Sequence, residues 1–315
     1  MSRLKTIFMF SGQGSQYYQM GRPLYDANPV FRHWMDRLDD CCRREFGGSA
    51  IALTYDPNRS RADTFARTPL SGAAIFMVEY ALAMALQAQG LRADLTLGAS
   101  LGTYAAAAVS GAIAPGAALT AIARQSDIVE QHCPLGGMLA VVGDPALFEL
   151  PELRTRSELA ALNFSGHFVV AALEHHLVAI ESFLQTKGVT HQRLPVSQAF
   201  HSQWIDAAQA PLLRYFDTLR LAPLQLPLIC CAQARTFRSI HDGFFWPAIR
   251  QPIQFQRTVA ELVREGPFRY VDVGPSGTLA GFLRYLLPAG SADQVQRVLT
   301  PFGGEVKNFE TATAA

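Results

Sequence analysis

Ser100 is the residue of this sequence whose neighbours could turn a hydroxyl into a nucleophile. It is the centre of Gly98-Ala99-Ser100-Leu101-Gly102, which fits G-x-S-x-G; the glycines permit a strained strand-to-helix turn that lifts the serine above a sheet edge. The pattern demands a strand before it and a helix after it. Both are legible: Asp94-Leu95-Thr96-Leu97 precedes, and the small, alanine-rich run Thr103 to Ser110 follows, as a helix packed tightly on a sheet requires. A helix starting at the serine would also aim its unbonded N–H groups at the site. Similar five-residue patterns recur in inert turns, and the flanking strand and helix separate this one from them.

A serine hydroxyl is a weak nucleophile at neutral pH and needs a base. Of the eight histidines, His33, His175, His176, His191 and His241 stand in polar surroundings that read as solvated surface. His201 differs. It follows Leu194-Pro195-Val196-Ser197-Gln198-Ala199-Phe200, a run leading out of one structural unit into another, where ligand clefts form. Serine with histidine points to nucleophilic catalysis.

The elements that must position this pair follow from the hydrophobic pattern. Lys5 to Phe10 reads as a buried strand ending in the turn Ser11-Gly12-Gln13-Gly14-Ser15. Thr68 to Gly90 reads as a central helix, apolar nearly all round, and Pro115 to Cys133 as another helix. From Met138 to Val196 the pattern predicts strand, helix, strand (Leu159 to Asn163), strand (Phe168 to Leu173), helix (Glu174 to Lys187) and strand (Val189 to Val196). That is the split β-α-β order of a ferredoxin-like unit, inserted in a larger α/β domain. The expected division is 1–135 and 199–315 for the large domain and 136–198 for the insert. Strands are also expected at Leu226 to Cys230 and Arg269 to Val273, the latter running into Gly274-Pro275-Ser276-Gly277, and Glu310 to Ala315 reads as a frayed tail.

Composition narrows the function. The 315 residues are 49% hydrophobic and 17% charged, a globular balance, and 27 Lys and Arg against 26 Asp and Glu leave no basic stripe for nucleic acid. The five cysteines lack C-x-x-C spacing, so no zinc or thiol-exchange site is expected; they read as reduced cysteines of a cytoplasmic protein. No run approaches the roughly twenty apolar residues needed to span a bilayer, so no membrane partner is expected.

Four separated motifs carry a resemblance. Phe10-Ser11-Gly12-Gln13-Gly14-Ser15-Gln16, the turn around Ser100, Ala199-Phe200-His201-Ser202 and Gly274-Pro275-Ser276-Gly277 come in the order and spacing of malonyl-CoA:acyl-carrier-protein transacylases. The chain resembles that family over essentially its whole length. The resemblance implies an α/β fold with an α/β-hydrolase-like large domain and an inserted ferredoxin-like small domain. It implies that Ser100 takes the acyl group as an ester, that His201 accepts and returns the proton, and that the N–H groups of Gln13 and Leu101 form an oxyanion hole. It implies no acidic third member: a backbone carbonyl, assigned to Ala248 in Phe245-Trp246-Pro247-Ala248, orients the histidine. It places Asn163 in the cleft wall, with a surface turn as the alternative. The substrate brings a phosphopantetheine arm; no metal or other cofactor is implied, and the implied partners are acyl carrier protein domains of a polyketide synthase.

Two departures from the family pattern stand out. Ala99 occupies the position before the nucleophile where the family usually has histidine. The second concerns an arginine on the following helix, which in the malonyl enzymes grips the substrate carboxylate. Within Pro115 to Cys133 the apolar stripe runs through Ala118, Ala121, Ile122, Ile128 and Val129; Gln125 falls on that stripe, while Arg124 falls on the opposite face with Thr120, Asp127 and Gln131. A neutral glutamine cannot compensate a buried carboxylate. With Ser15 to Gly21, this glutamine most resembles the acyl hydrolases of trans-acyltransferase polyketide synthases, which free carrier proteins of stalled acyl groups; Phe200 would narrow the pocket toward short chains. The expectation is therefore an acyl-carrier-protein hydrolase, with a malonyl transacylase and a catalytically idle docking subunit as alternatives.

Overall fold

Every side chain of the first strand beyond Lys5 is buried, Ile7 and Met9 on one face and Phe8 and Phe10 on the other. A strand buried on both faces belongs in the middle of a covered parallel sheet. The computed structural model describes residues 3–65 and 69–314 and shows that placement. The chain is an α/β protein with two sheets. Its strands are β1 (Lys5–Phe10), β2 (Leu95–Gly98), β3 (Gly136–Val142), β4 (Glu158–Phe164), β5 (His167–Leu173), β6 (Thr190–Arg193), β7 (Leu228–Cys230), β8 (Arg235–Phe237), β9 (Phe268–Asp272) and β10 (Val295–Arg297).

The large sheet has the order β10-β9-β1-β2-β7-β8, parallel except for the β7–β8 hairpin. Phe10 of β1 pairs with Gly98 of β2, so the turns after both strands leave the same edge side by side. The chain switches direction across the sheet at β1, and crevices at carboxyl ends of strands near such a switch are where ligands bind. Helices Pro29–Phe46, Leu70–Ala88, Gly102–Val109 and Pro115–His132 cover the Phe8 face; helices Phe255–Glu265 and Thr278–Leu283 cover the Ile7 face.

Helix Leu70–Ala88 is long and apolar enough to cross a membrane by length and composition, although Glu79 interrupts its apolar run. Every residue from Ser71 to Ala83 is buried, as in the core helix of a folded body. Thr68, where this helix was expected to begin, lies outside the described residues.

The second sheet, β4-β5-β3-β6, is antiparallel throughout. One face packs Leu139, Val141, Phe168 and Val170 against Leu177, Ile180 and Leu184 of helix Glu174–Thr186. The other presents Met138, Ala161 and Val169 toward Phe200 and Ile253. Ile253 joins the sheet edge: its N–H donates to the Ala160 carbonyl at 2.8 Å, and its carbonyl accepts from Leu162 at 2.9 Å.

The C-terminal expectation was wrong. Helix Glu305–Thr313 takes in the expected frayed tail as far as Thr313, with Phe309 and Ala312 buried, while Ala315 lies outside the described residues; Glu305 pairs with Arg61, and Arg269 donates to the Ala312 carbonyl. The five cysteines are free, with Cys42, Cys230 and Cys231 buried.

Candidate active site

Ser100 sits in the turn between β2 and helix Gly102–Val109 with φ 54°, a left-handed backbone that costs a non-glycine residue energy. Its flanking glycines make the turn possible. A Cβ on Gly98 would lie 2.5 Å from Thr103 Cα, and one on Gly102 would run into the Phe10 and Ser11 carbonyls. The serine hydroxyl meets His201 Nε2 at 2.8 Å. His201 also has a positive φ, 61°, and its N–H donates to the Ile249 carbonyl at 3.0 Å.

His201 Nδ1 lies 2.7 Å from the carbonyl oxygen of Gln251. A carbonyl only accepts, so Nδ1 carries the proton and Nε2 presents its lone pair to Ser100. This corrects the assignment of the orienting carbonyl to Ala248. Ala248 lies within helix Phe245–Arg250; the backbone turns extended only at Gln251, which frees that carbonyl to face the ring. Burial pushes the imidazole down to about 4, with the Arg250 charge adding to it and the Gln251 bond opposing. His201 is therefore neutral at physiological pH, as an acceptor of the serine proton must be.

Gln13 and Leu101 both line the cleft around Ser100. The turn before Gln13 is held by its own side chains: Ser15 Oγ donates to the Gly12 carbonyl at 2.8 Å and Gly14 N–H to Gln16 Oε1 at 2.7 Å. Among the described residues no group takes up the N–H of Gln13 or Leu101. Unpaired backbone donors on two residues that line one cleft are the kind of group that stabilises an oxyanion.

The cleft holds about 320 Å³ and runs between the edge of the large sheet and the inner face of the small one. Gln125, Phe200 and Asn163 all line it. Gln125 is 5% exposed, and its Oε1 accepts from Tyr104 Oη at 2.8 Å, which leaves the amide donors for the cleft. Arg124 points away, 56% exposed beside Asp127. A second hollow of about 350 Å³ near Leu283 and Leu287 contains no histidine, carboxylate or cysteine. No cluster of His, Cys, Asp and Glu fit to hold a metal ion occurs among the described residues.

Two residues at the site escaped the sequence reading. His167 lines the cleft, its Nδ1 3.0 Å from Asn163 Nδ2 and its ring against Phe282. The hairpin Phe164-Ser165-Gly166-His167 brings them together, and Ser-Gly between two apolar runs is its sequence signal. Glu79, a lone carboxyl in an apolar helix, reaches the turn after β1: its Oε1 accepts from Ser11 N at 2.7 Å and from Ser11 Oγ at 3.0 Å.

Known proteins share this arrangement of the chain. The family model described as acyl transferase domain matches residues 7–299. The polyketide biosynthesis acyltransferase homolog BaeD of Bacillus velezensis is 43% identical over 305 residues, covering 96% of this chain and 94% of that protein. The homolog PksD of Bacillus subtilis is 40% identical over 309 residues, covering 97% and 94%. Among solved structures, the acyl transferase domain of SpnD in complex with 2-(pent-4-yn-1-yl)malonyl aligns with a TM-score of 0.86 at 26% identity, over 99% of this chain and 75% of that one. Similarity that spans both sheets and the turn at Ser100 alike has one source, and the chain belongs to the acyl transferase domain family.

Proposed function

We propose that this protein removes short acyl groups such as acetyl from acyl carrier proteins by hydrolysis, clearing the carrier arms of a polyketide synthase in the cytoplasm. The observation that carries the reading is Gln125: the residue in the cleft is an uncharged amide, and the neighbouring arginine is outside it. Burying a malonyl carboxylate against Gln125 would leave an unpaired charge, which costs several kcal/mol. An uncharged acyl group carries no such cost.

The geometry supports the following chemistry. Ser100 Oγ attacks the thioester carbonyl as His201 Nε2 takes its proton, and the oxyanion forms against the N–H groups of Gln13 and Leu101, each worth about 3 kcal/mol. As the C–S bond breaks, His201 returns the proton to the leaving thiol. Water then attacks the acyl-serine with His201 again as base, and Ser100 leaves with that proton, releasing a carboxylic acid. Asn163 and Phe200 bound the space left for the arm and the acyl chain. We read the two parts as an α/β-hydrolase-like body and a ferredoxin-like insert.

That BaeD and PksD are described as acyltransferase homologs favours a second reading, transfer of malonyl from coenzyme A to the carrier. Incubating the protein with acetyl-loaded and malonyl-loaded carrier proteins, and following each mass, separates the two. Hydrolysis predicts loss of acetyl to give the free thiol. Efficient malonyl loading from coenzyme A with acetyl carrier untouched would overturn it.

A further inference from the structure

The turn that carries Gln13 is held in two different ways. Ser15 and Gln16 bond within it and set its shape. Glu79 bonds to it from helix Leu70–Ala88 and sets its place: a single carboxyl oxygen accepts both the N–H and the Oγ–H of Ser11, two residues before Gln13. The distances that matter are short. A Cβ on Gly12 would lie 3.0 Å from Ser100 Cβ, and one on Gly274 would run into Ser11 Oγ. A shift of the turn by a few tenths of an ångström therefore changes the spacing between the Gln13 N–H and the atom Ser100 attacks.

Glu79 is a costly group to keep here. It is fully buried, its Oε2 has no hydrogen-bond partner among the described residues, and the Asp272 carboxyl lies close by. Burial holds its carboxyl well above the usual carboxylate range, with the two Ser11 bonds opposing and the Asp272 charge adding to it. A leucine would fill this place in an apolar helix without burying a carboxyl, but it would strip both donors of Ser11 of their acceptor. What leucine cannot do is hold Ser11.

We propose that Glu79 is a positioning residue for the oxyanion hole, fixing the Gln13 N–H over Ser100 by bonding both donors of Ser11. The inference rests on the reading of Ser100 as nucleophile. It adds that the alignment of the hole depends on a side chain that never touches substrate.

The test measures acylation of Ser100 by p-nitrophenyl acetate, read as the burst of p-nitrophenolate, in the wild type and in Glu79→Leu, Glu79→Gln and Ser11→Ala, with a thermal midpoint for each. Glu79→Leu should lower the acylation rate constant about ten- to a hundredfold at unchanged half-saturation, and Glu79→Gln, which keeps the acceptor oxygen, should recover most of that loss. A residue with a merely structural role would shift the midpoint without separating rate from half-saturation. If Glu79→Leu fails to fold, Ser11→Ala decides: a drop of about threefold or more at constant half-saturation supports the proposal, and an unchanged rate overturns it. A Glu79→Leu protein that bursts like the wild type also overturns it. Absence of both burst and steady turnover in the wild type would instead remove the nucleophile reading beneath it.

Discussion

The Tyr104 hydroxyl donates to Oε1 of Gln125 at 2.8 Å, and that bond decides which end of the amide faces the cleft. Tyr104 is itself fixed, fully buried and stacked on Phe245 with ring centroids 4.5 Å apart. Tyr104→Phe keeps the stack and removes the donor. The buried amide oxygen then goes unpaired, and stability should fall by about 1–3 kcal/mol, measurable by denaturant unfolding. Equal stability of the two proteins would show that Gln125 finds another partner.

Gln125→Arg tests the choice of acyl group. The guanidinium would occupy the place of the amide in the cleft and pair with a substrate carboxylate. The variant should gain malonyl loading on Ser100, seen as an increase in protein mass, and lose acetyl hydrolysis, since an unpaired guanidinium beside a neutral chain carries a desolvation cost. A variant that still hydrolyses acetyl and takes no malonyl would place selectivity elsewhere.

Ser100→Ala should abolish turnover and leave the fold intact. Because Ser100 has φ 54°, Ser100→Gly should do more: it relieves the left-handed strain and should raise stability over Ser100→Ala by about 1 kcal/mol. Differential scanning calorimetry of the two variants checks the ordering.

His201→Ala should slow both acylation and release by about a thousandfold or more. In the wild type the acid limb of kcat/KM should lie near pH 4 to 5, because burial holds His201 at about 4. The stability consequence has a definite sign. Below pH 6.5 the unfolded chain protonates this histidine and the folded one does not, so its presence costs stability increasingly as pH falls from about 6.5 to about 4. Asp272, raised to about 6 by burial, acts oppositely over pH 4 to 6, since there the folded chain holds the extra proton. The difference in midpoint between wild type and His201→Ala cancels the Asp272 contribution and should move against the wild type as the solution is acidified. A difference that does not change with pH would contradict the buried, neutral histidine.

The chemistry-bearing residues were more legible than their supports. Ser100 announced itself because its strained turn needs glycines at fixed offsets, and Gln125 because a polar residue on an apolar helical stripe has to face inward. Strand β1 was read to its ends, since a run buried on both faces is bounded by polar and glycine residues. Ala248 was misassigned for a physical reason: the free carbonyl is the one just past a helix end, and a helix of six residues beginning at Phe245 has no sequence signal that fixes its last turn. The short edge strands β8 and β10 carry too few residues to show a period. His167 and Glu79 were missed because their partners are set by the fold. The tail was misread because its burial depends on Arg61 and Arg269, which composition at the terminus does not reveal.

The segment Gln251 to Gln254 is a lever with both ends loaded. Gln251 grips the imidazole of His201, Ile253 is stitched on both sides into the edge of the small sheet, and Gln254 is anchored to the carbonyl of Cys231 beyond β7. Only a few bonds separate the stitch from the grip. Two residues of backbone thus connect the edge of the small sheet to the carbonyl that holds the ring of His201. One wall of the cleft and the support of its histidine therefore share a single short stretch of chain.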